Sequence, residues 1–198
     1  MSVAYPVGIQ AGDIAIIHAL VVDSLNDNSL NVPNGFTQIE QVPLFSEANT
    51  SSAAGIFWRR LNGSESGSVS VTTAVSTEAT DTLAAGMSVW RGCVAAGNPF
   101  EALATARANN TSMTGSAVTT SGANRRVLHF CATYSGASAT PASGWTEEYD
   151  YYAPFGTGEG GLMLFSKERA AAGTESAAVH TLSQSRRWVT FALALIPA

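Results

Sequence analysis

The sequence predicts an all-β protein, namely a jelly-roll-like antiparallel β-sandwich made of two pseudo-repeated four-strand halves. Three observations lead to this prediction: short apolar runs bounded by turn-forming residues, no sustained helical period, and a set of motifs that occurs twice in the same order. With 198 residues, the chain fits one domain of this class. A domain of this size buries roughly 70% of its unfolded surface. We therefore expect a single sandwich domain over residues 1–198, with a core that needs neither a metal nor a disulfide.

The clearest strand signals are three apolar runs rich in Val, Ile, Phe and Trp, at residues 14–22, 127–134 and 188–196. Runs of this length are typical of strands that are buried on one or both faces. Residues 68–72 alternate polar and apolar side chains, as a half-exposed strand does. The segments at 26–35 and 135–144 are rich in Gly, Pro, Ser and Asn, which favours turns.

The repeat covers about residues 12–92 and 125–197. A Gly-aromatic-Thr motif occurs once in each half, at Gly35-Phe36-Thr37 and at Gly144-Trp145-Thr146. A Gly-Ser/Thr-Glu-Ser turn follows in each half, at 63–66 and 173–176. Four strands with one apolar face cannot bury that face alone, whereas two such sets packed face to face can, and eight strands is the count of a jelly roll. The linker at 93–124 is predicted to hold one or two short edge strands; a lipocalin-like barrel is the second choice.

Charge argues against two classes of partner. The net charge is −5, Lys167 is the single lysine beside nine arginines, and no basic stripe is visible, so we expect no binding to nucleic acid. The N-terminus lacks a signal-peptide pattern, and no apolar run approaches the roughly 20 residues of a membrane helix, so we expect a soluble protein without a membrane partner. Charged residues make up only 13% of the chain. Either neighbouring molecules cover the surface or this composition is a habit of the lineage.

Metals and cofactors are not expected. Cys93 and Cys131 lie beside or within apolar runs, and they are either buried free thiols or a disulfide, which the sequence leaves open. No second Cys or His pair stands at zinc-ligand spacing. Residues 23–28 carry several side-chain oxygens but lack the spacing of an EF-hand calcium loop.

The sequence also gives little support for catalysis. His18, His129 and His180 are the obvious acid–base candidates, but each lies within a predicted strand, where a hydrogen-bonded structural histidine is the simpler interpretation. The adjacent Glu147 and Glu148 would point to opposite faces of a strand, which is wrong for a glycosidase pair. The glycine-rich segment at 156–161 precedes a strand and not a helix, so it indicates a hairpin loop. We expect no enzymatic activity.

The sharpest local feature is an aromatic segment around Asp150. Its candidate interface residues are Tyr149, Tyr151, Tyr152 and Phe155. Exposed tyrosines suit protein interfaces and sugar stacking alike, because a rigid ring provides contact area at a low entropic cost. Packing of these rings into the core or onto a loop is the alternative to both.

Several short motifs resemble those of tailed-phage virion proteins and related bacterial surface modules. They are Tyr5 through Asp13 (YPVGIQAGD) before an apolar strand, the two Gly-aromatic-Thr elements with their preceding Pro33 and Pro141, Trp90-Arg91-Gly92, and the closing Pro197-Ala198. The resemblance spans nearly the whole chain. It implies a jelly-roll fold on the outer surface of a phage particle, and it carries no catalytic residues.

The resemblance leads to a functional expectation. We expect a non-catalytic virion structural protein, most simply a head decoration (cement) protein or a head-fibre component, with the major capsid protein or tail and fibre proteins as partners. The alternative is a tail-associated module that binds a receptor or a glycan. A homo-oligomer is expected, and a trimer is favoured by analogy with decoration proteins on three-fold positions. Head or tail location stays open.

Overall fold

The protein is described here by a computed structural model, which covers residues 1–23, 29–47, 50–74, 82–153 and 160–198. About 69% of the residues lie in strands, and the described segments contain no helix. The strand pairings are antiparallel. The prediction of an all-β, sandwich-like antiparallel architecture is therefore confirmed. Among the described residues there is no helix with the length and apolarity that crossing a membrane requires.

The chain divides into two compact units. Unit 1 comprises Met1–Cys93 with Ala153–Gly160, and unit 2 comprises Val94–Tyr152 with Gly161–Ala198. The strands of unit 1 are β1 (Ser2–Ala4), β2 (Ala11–Asp23), β3 (Thr37–Glu47), β4 (Thr50–Asn62), β5 (Ser68–Ser70) and β6 (Thr82–Trp90). They form a four-stranded sheet in the order β3-β4-β2-β6 and a two-stranded sheet of β1 and β5.

Unit 1 has a hydrophobic core of its own. The two-stranded sheet contributes Val3 and Val69, while the four-stranded sheet contributes the odd-numbered residues of β2, from Ala15 to Val21, together with Phe57. The even-numbered residues of β2, from Ile14 to Val22, are buried as well, so this strand is covered on both faces, as its apolar run predicts. Burying a side chain the size of Ile or Phe stabilises the fold by roughly 1.5–3 kcal/mol.

Unit 2 contains the remaining strands. They are β7 (Phe100–Gly115), β8 (Val118–Thr120), β9 (Arg125–Tyr134), β10 (Ala139–Thr140), β11 (Thr146–Ala153), β12 (Gly160–Arg169), β13 (Gly173–Glu175) and β14 (Ala178–Leu195). Strands β10-β14-β9-β12-β11 follow one another in a single sheet, β7 pairs with β14 in that sheet, and β8 pairs with β13. The core cluster of this unit contains Val118, Cys131, Trp145, Phe165 and Trp188.

One expectation needs revision in this light. The linker at 93–124 holds the 16-residue strand β7, much longer than the short edge strands expected there. Its composition of Ala, Thr, Asn and Ser hides it from sequence analysis, because its stability comes from pairing along β14 and not from its own apolar content. Each unit also has a hydrophobic cluster of its own.

Candidate functional site

The aromatic segment lies on β11, at one end of the strand order of its sheet. Tyr151 is 43% exposed. Tyr149 is partly buried, and burial raises the pKa of its phenol group. The side chain of Tyr152 and the whole of Phe155 lie outside the described residues. Of the two predicted interface residues whose side chains are described, Tyr151 is thus the exposed one and Tyr149 the partly buried one.

Asp150 serves a structural role in this segment. Its Oδ2 accepts a hydrogen bond from the main-chain N–H of Ala139 at 3.0 Å, and this bond links β11 to β10. The carboxyl group is half-buried, and burial raises its pKa although the Ala139 N–H acts in the opposite direction. A carboxylate held in this way is not presented to a sugar beside the tyrosine rings.

The most organised polar group of unit 2 is a pair of buried histidines. His129 of β9 and His180 of β14 are both 0% exposed, and His129 Nδ1 lies 3.0 Å from His180 Nε2. The His129 ring stacks on Trp145 with a centroid distance of 4.0 Å, and the His180 ring stacks on Phe165 at the same distance. The histidine pair therefore lies inside an aromatic box in the core.

The hydrogen bonds assign the tautomers of both rings. The main-chain N–H of Ala142 donates to His180 Nδ1 at 3.1 Å, so the proton of neutral His180 is on Nε2. His180 then donates to His129 Nδ1, which leaves the His129 proton on Nε2. His129 Nε2 is buried without a hydrogen-bond partner among the described residues, although the main chain of Ser116 favours the charged form of this ring.

A glycine makes room for this pair. A Cβ atom at Gly115, on β7, would lie 1.9 Å from His129 Nδ1, a distance that no real structure tolerates. Because Gly115 pairs with Ala178 at the start of β14, the glycine brings the main chain of β7 directly against the His129 ring. The absence of a side chain at residue 115 is therefore a packing requirement of the histidine box.

Burial keeps the rings neutral. It lowers the pKa of His180 to about 4, and burial together with the charge of His180 lowers the pKa of His129 to about 3. His18 in unit 1 is also fully buried, and burial lowers its pKa to about 3. A general acid or base must reach its substrate, and all three rings are sealed from solvent. The structural interpretation of these histidines fits the geometry.

The paired glutamates differ in their contacts. Both Glu147 and Glu148 are exposed on β11. Glu148 accepts a hydrogen bond from Ser166 and forms an ion pair with Arg126 at 3.8 Å. A strand places neighbouring side chains on opposite faces, so these two carboxylates do not flank a common point.

Unit 1 has an open groove at the edge strand β6, with a volume of about 380 Å³. Its polar end is the ion pair between Arg91 and Asp13, whose closest atoms are 2.8 Å apart. Arg91 also donates to the carbonyl oxygen of Gly8 at 2.8 Å, which anchors the loop before β2. The hydrogen bond from Arg91 and the N–H of Gln10 lower the pKa of Asp13 against the opposing effect of burial. The groove is lined by Pro6, Val7, Gly8, Ile9, Asp13, Met87, Val89 and Arg91.

The remaining candidates give no further site. Cys93 and Cys131 are both free and buried, and burial raises the pKa of both thiols. In the described segments, no group of three or more His, Cys, Asp and Glu side chains is placed to hold a metal ion. The possible calcium loop at 24–28 and most of the glycine-rich segment, at 156–159, lie outside the described residues.

Neither the histidine box nor the groove was predicted from the sequence. His18 and His129 lie at similar places in their apolar runs, but His129 lies among core residues of unit 2, while His18 alternates with the core residues Ile17 and Ala19 and so points to the opposite face of β2. The contact between His129 and His180 joins residues that are far apart in the chain, and no local pattern encodes it. The sole local hint was a glycine within a strand, at Gly115.

Comparison with known proteins found no match among family models, curated proteins or solved structures.

Proposed function

We propose that this protein is a non-catalytic structural component of a phage virion, most simply a head decoration or head-fibre protein. The observation that supports this proposal most directly is the exposed face of β7. Its exposed residues are Leu103, Thr105, Arg107, Ala108, Asn109, Asn110, Thr111 and Ser112, so they are mainly small and uncharged, with one arginine among them. A surface of mainly small, uncharged side chains can pack closely against neighbouring subunits, because little charge has to be desolvated.

The placement of the acid–base groups agrees with this proposal. His129 and His180 are held in the core of unit 2, and Asp13 and Glu101 are engaged with arginines at 2.8 and 2.7 Å. Ion pairs and buried rings of this kind stabilise a fold and leave no evident nucleophile–base arrangement among them. A structural role requires no more than this.

The finer fold assignment is part of the proposal: a jelly-roll-like antiparallel β-sandwich from two pseudo-repeated four-strand halves. The strand order β3-β4-β2-β6 in unit 1 and the order β11-β12-β9-β14 in unit 2 use corresponding strands of the two halves, counted along the chain. The small sheets β1-β5 and β8-β13 correspond in the same way. Equivalent positions in two sheets of the same order are the result expected of a duplicated unit.

Local details support the duplication. Gly35 and Gly144 both have a φ of 79°, and in each half the next residue donates its N–H to the carbonyl oxygen three residues earlier, Phe36 to Pro33 and Trp145 to Ala142. Both aromatic rings enter the core cluster of their unit. Positive φ favours glycine, so the Gly-aromatic-Thr motif is the local signature of one turn used twice.

The repeated glutamate has a matching role in each half. Glu65 forms an ion pair with Arg59 of β4 at 3.1 Å, and Glu175 forms ion pairs with Lys167 and Arg169 of β12 at 2.6 and 3.1 Å. Strands β4 and β12 hold the same place in the two sheet orders. The turn glutamate thus ties corresponding strands in both units.

The decisive experiment is quantitative mass spectrometry of purified phage particles. Hundreds of copies per particle would support a head decoration or tail-tube role, and a dozen or fewer would support a place at the tail tip. If infected cells express the protein but the purified particles do not contain it, the virion assignment is refuted. The partners in the first case are the major capsid protein and further copies of this chain, with a trimer favoured by analogy.

The alternative proposal is a tail-associated module that binds a receptor or a carbohydrate. The exposed Tyr151 on the edge strand β11 is the observation that favours it. A glycan array with the intact protein tests it, with Tyr151→Ala as the control that should lose any signal. In the decoration model the same variant weakens binding to particles by about 2 kcal/mol if Tyr151 is an interface anchor. If Tyr151→Ala decorates particles normally, the contact surface is to be sought on β7.

A further inference from the structure

Strand β6 forms the last edge of the four-stranded sheet of unit 1 among the described residues. Strand β6 pairs with β2 on one side, and no described strand pairs with it on the other. The residues that it turns toward the core, Leu83, Met87 and Val89, are partly exposed. Met87 and Val89 also line the 380 Å³ groove, and Val7 on its opposite wall is fully exposed. In the part of unit 1 that the structure describes, the core is therefore reachable from solvent along this edge.

Unit 2 shows what closes the same edge. Its last strand, β14, corresponds to β6 in the sheet order, but β7 pairs with β14 along nearly its whole length. Ala102, Ala104 and Ala106 of β7 pack against the core cluster of unit 2. With this cover, residues 188–195 of β14 are all buried. An added strand with small inward side chains completes the unit.

We propose that the β6 edge of unit 1 is a binding site for an extended strand of a partner polypeptide, which adds to the sheet antiparallel to β6 and fills the groove. The proposal rests on the correspondence between β6 and β14. A free strand edge offers a row of main-chain N–H and C=O groups that a second chain can pair with, which is the basis of recognition by strand addition. The groove beside the edge receives every second side chain of the added strand.

The chemistry of the strand follows from β7. Its inward side chains should be small and neutral, as the three alanines are, because larger ones would have to displace Met87 and Val89. In unit 2, Glu101 of β7 lies opposite Ala194 and accepts a hydrogen bond from Arg125 at 2.7 Å. At the corresponding end of the groove in unit 1 stands Arg91, whose side chain is 55% exposed while its partner Asp13 is buried. An acidic residue near the N-terminal end of the bound strand fits this position.

A partner polypeptide is a better occupant than β7 of a second copy. Each copy of β7 is already bound to β14 of its own chain, from Phe100 to Gly115, with its alanines in the core. Exchanging it would expose the core of unit 2 in order to cover that of unit 1. A segment from another protein incurs no such loss.

The experiment uses the full chain labelled with ¹⁵N and a capped synthetic peptide with the sequence of residues 100–112. We expect saturable chemical-shift changes confined to residues 83–91 and to the loop at 6–9. A peptide with proline in place of Ala104 keeps the length and charge but removes one main-chain N–H, so its affinity should fall at least tenfold if strand pairing carries the binding. Equal affinity of the two peptides would overturn the proposal.

Variants of the protein locate the site. Val89→Lys should weaken peptide binding at least tenfold, whereas Val179→Lys, at a 47% exposed position on β14, should leave it unchanged. Should Val89→Lys fail to fold, Val7→Glu provides the same test, because the fully exposed Val7 contributes little to stability and a carboxylate there repels the acidic end of the peptide.

Three results would overturn the proposal: no saturable change at millimolar peptide, changes at the edge strands β3 or β11 in place of β6, or self-association of the free protein through β6, which would make a second copy the occupant. None of them bears on the copy number in virions, so this inference and the proposed function can fail separately.

Discussion

Strands β6 and β14 hold corresponding places in the two units, yet they have different surroundings. Residues 188–195 of β14 have a neighbour on each side, β9 and β7, and are fully buried. Strand β6 has β2 on one side, and residues 86–90 are partly exposed. The difference shows that the order of strands in a sheet does not by itself close a core. Closure of unit 2 depends on a strand from the segment between the halves, and its small side chains gave no sign of that role.

The cores differ accordingly. In unit 2 the space under β14 is filled by Trp188, Ala192 and Ala194 with the alanines of β7, and it holds the histidine box. In unit 1 the corresponding residues of β6 are Met87 and Val89, larger side chains that partly cover the edge themselves. Larger side chains on the edge strand thus cover the core less completely than an added strand does.

The largest expected effect is the difference in stability loss between a charge placed on β14 and one placed on β6. Ala192→Glu should lower the free energy of unfolding by about 4 kcal/mol, because the carboxylate would be buried without a partner. Met87→Glu should cost about 1 kcal/mol, since its side chain can turn into the open groove. Urea unfolding of both variants measures the difference, and equal losses would show that β6 is as well covered as β14.

The histidine box gives the second prediction. Gly115→Ala should destabilise the protein by about 3 kcal/mol, because the new methyl group overlaps the His129 ring. Gly97→Ala is the matched control: Gly97 has a φ of 73° and nothing within 4 Å of an added Cβ, so only backbone strain of about 1–2 kcal/mol is expected. If the control is as destabilising as Gly115→Ala, tight packing against His129 is not the reason for the glycine.

Acidification should destabilise the protein through the buried histidines of both units. Their folded pKa values, about 3 for His18 and His129 and about 4 for His180, lie below the unfolded value of 6.5. Between these limits the unfolded chain binds more protons, so stability is complete above pH 6.5 and falls as the pH drops toward 4. Each ring should contribute on the order of 2 kcal/mol to the loss between pH 7 and pH 5.

Histidine variants measure how much each ring contributes to this loss of folding free energy at low pH. His18→Gln should remove one share of the pH dependence, and the double variant His129→Gln with His180→Gln should remove two. The measurement is the slope of the unfolding free energy against pH, which is independent of the cost of each substitution at neutral pH. An unchanged slope in the double variant would mean that the pair is already protonated in the native state.

The smallest effect concerns exchange of main-chain amides. Among residues 83–89 of β6, the amides that face away from β2 should exchange with solvent at least roughly tenfold faster than those of residues 188–195 of β14. Hydrogen–deuterium exchange followed by NMR resolves them one by one. Similar protection on both strands would show that the outer edge of β6 is covered as well as that of β14.

Local patterns predicted much of the fold and little of the site. The apolar runs at 14–22, 127–134 and 188–196 all lie within strands, because a buried strand must be apolar along its length. The sequence named Tyr149 and Tyr151 as interface candidates but left open whether their rings are exposed. Alternation places both on the same face of β11, so the partial burial of Tyr149 beside the exposed Tyr151 depends on neighbours that alternation does not reveal. The histidine box joins β9 to β14, and it requires a glycine on β7 as well. No pattern within one strand could have indicated it.

The sequence by itself determined the all-β class, the positions of the apolar strands and the turns at Gly35 and Gly144, because hydrophobic period and positive φ act over a few residues and are written locally. Only the tertiary structure decided which strand covers which edge. The pairing of β7 with β14, the open edge of β6 and the contact between His129 and His180 depend on main-chain hydrogen bonds and close packing between distant segments. Main-chain groups are nearly the same for every residue type, so the choice of partner strand leaves almost no trace in the order of side chains.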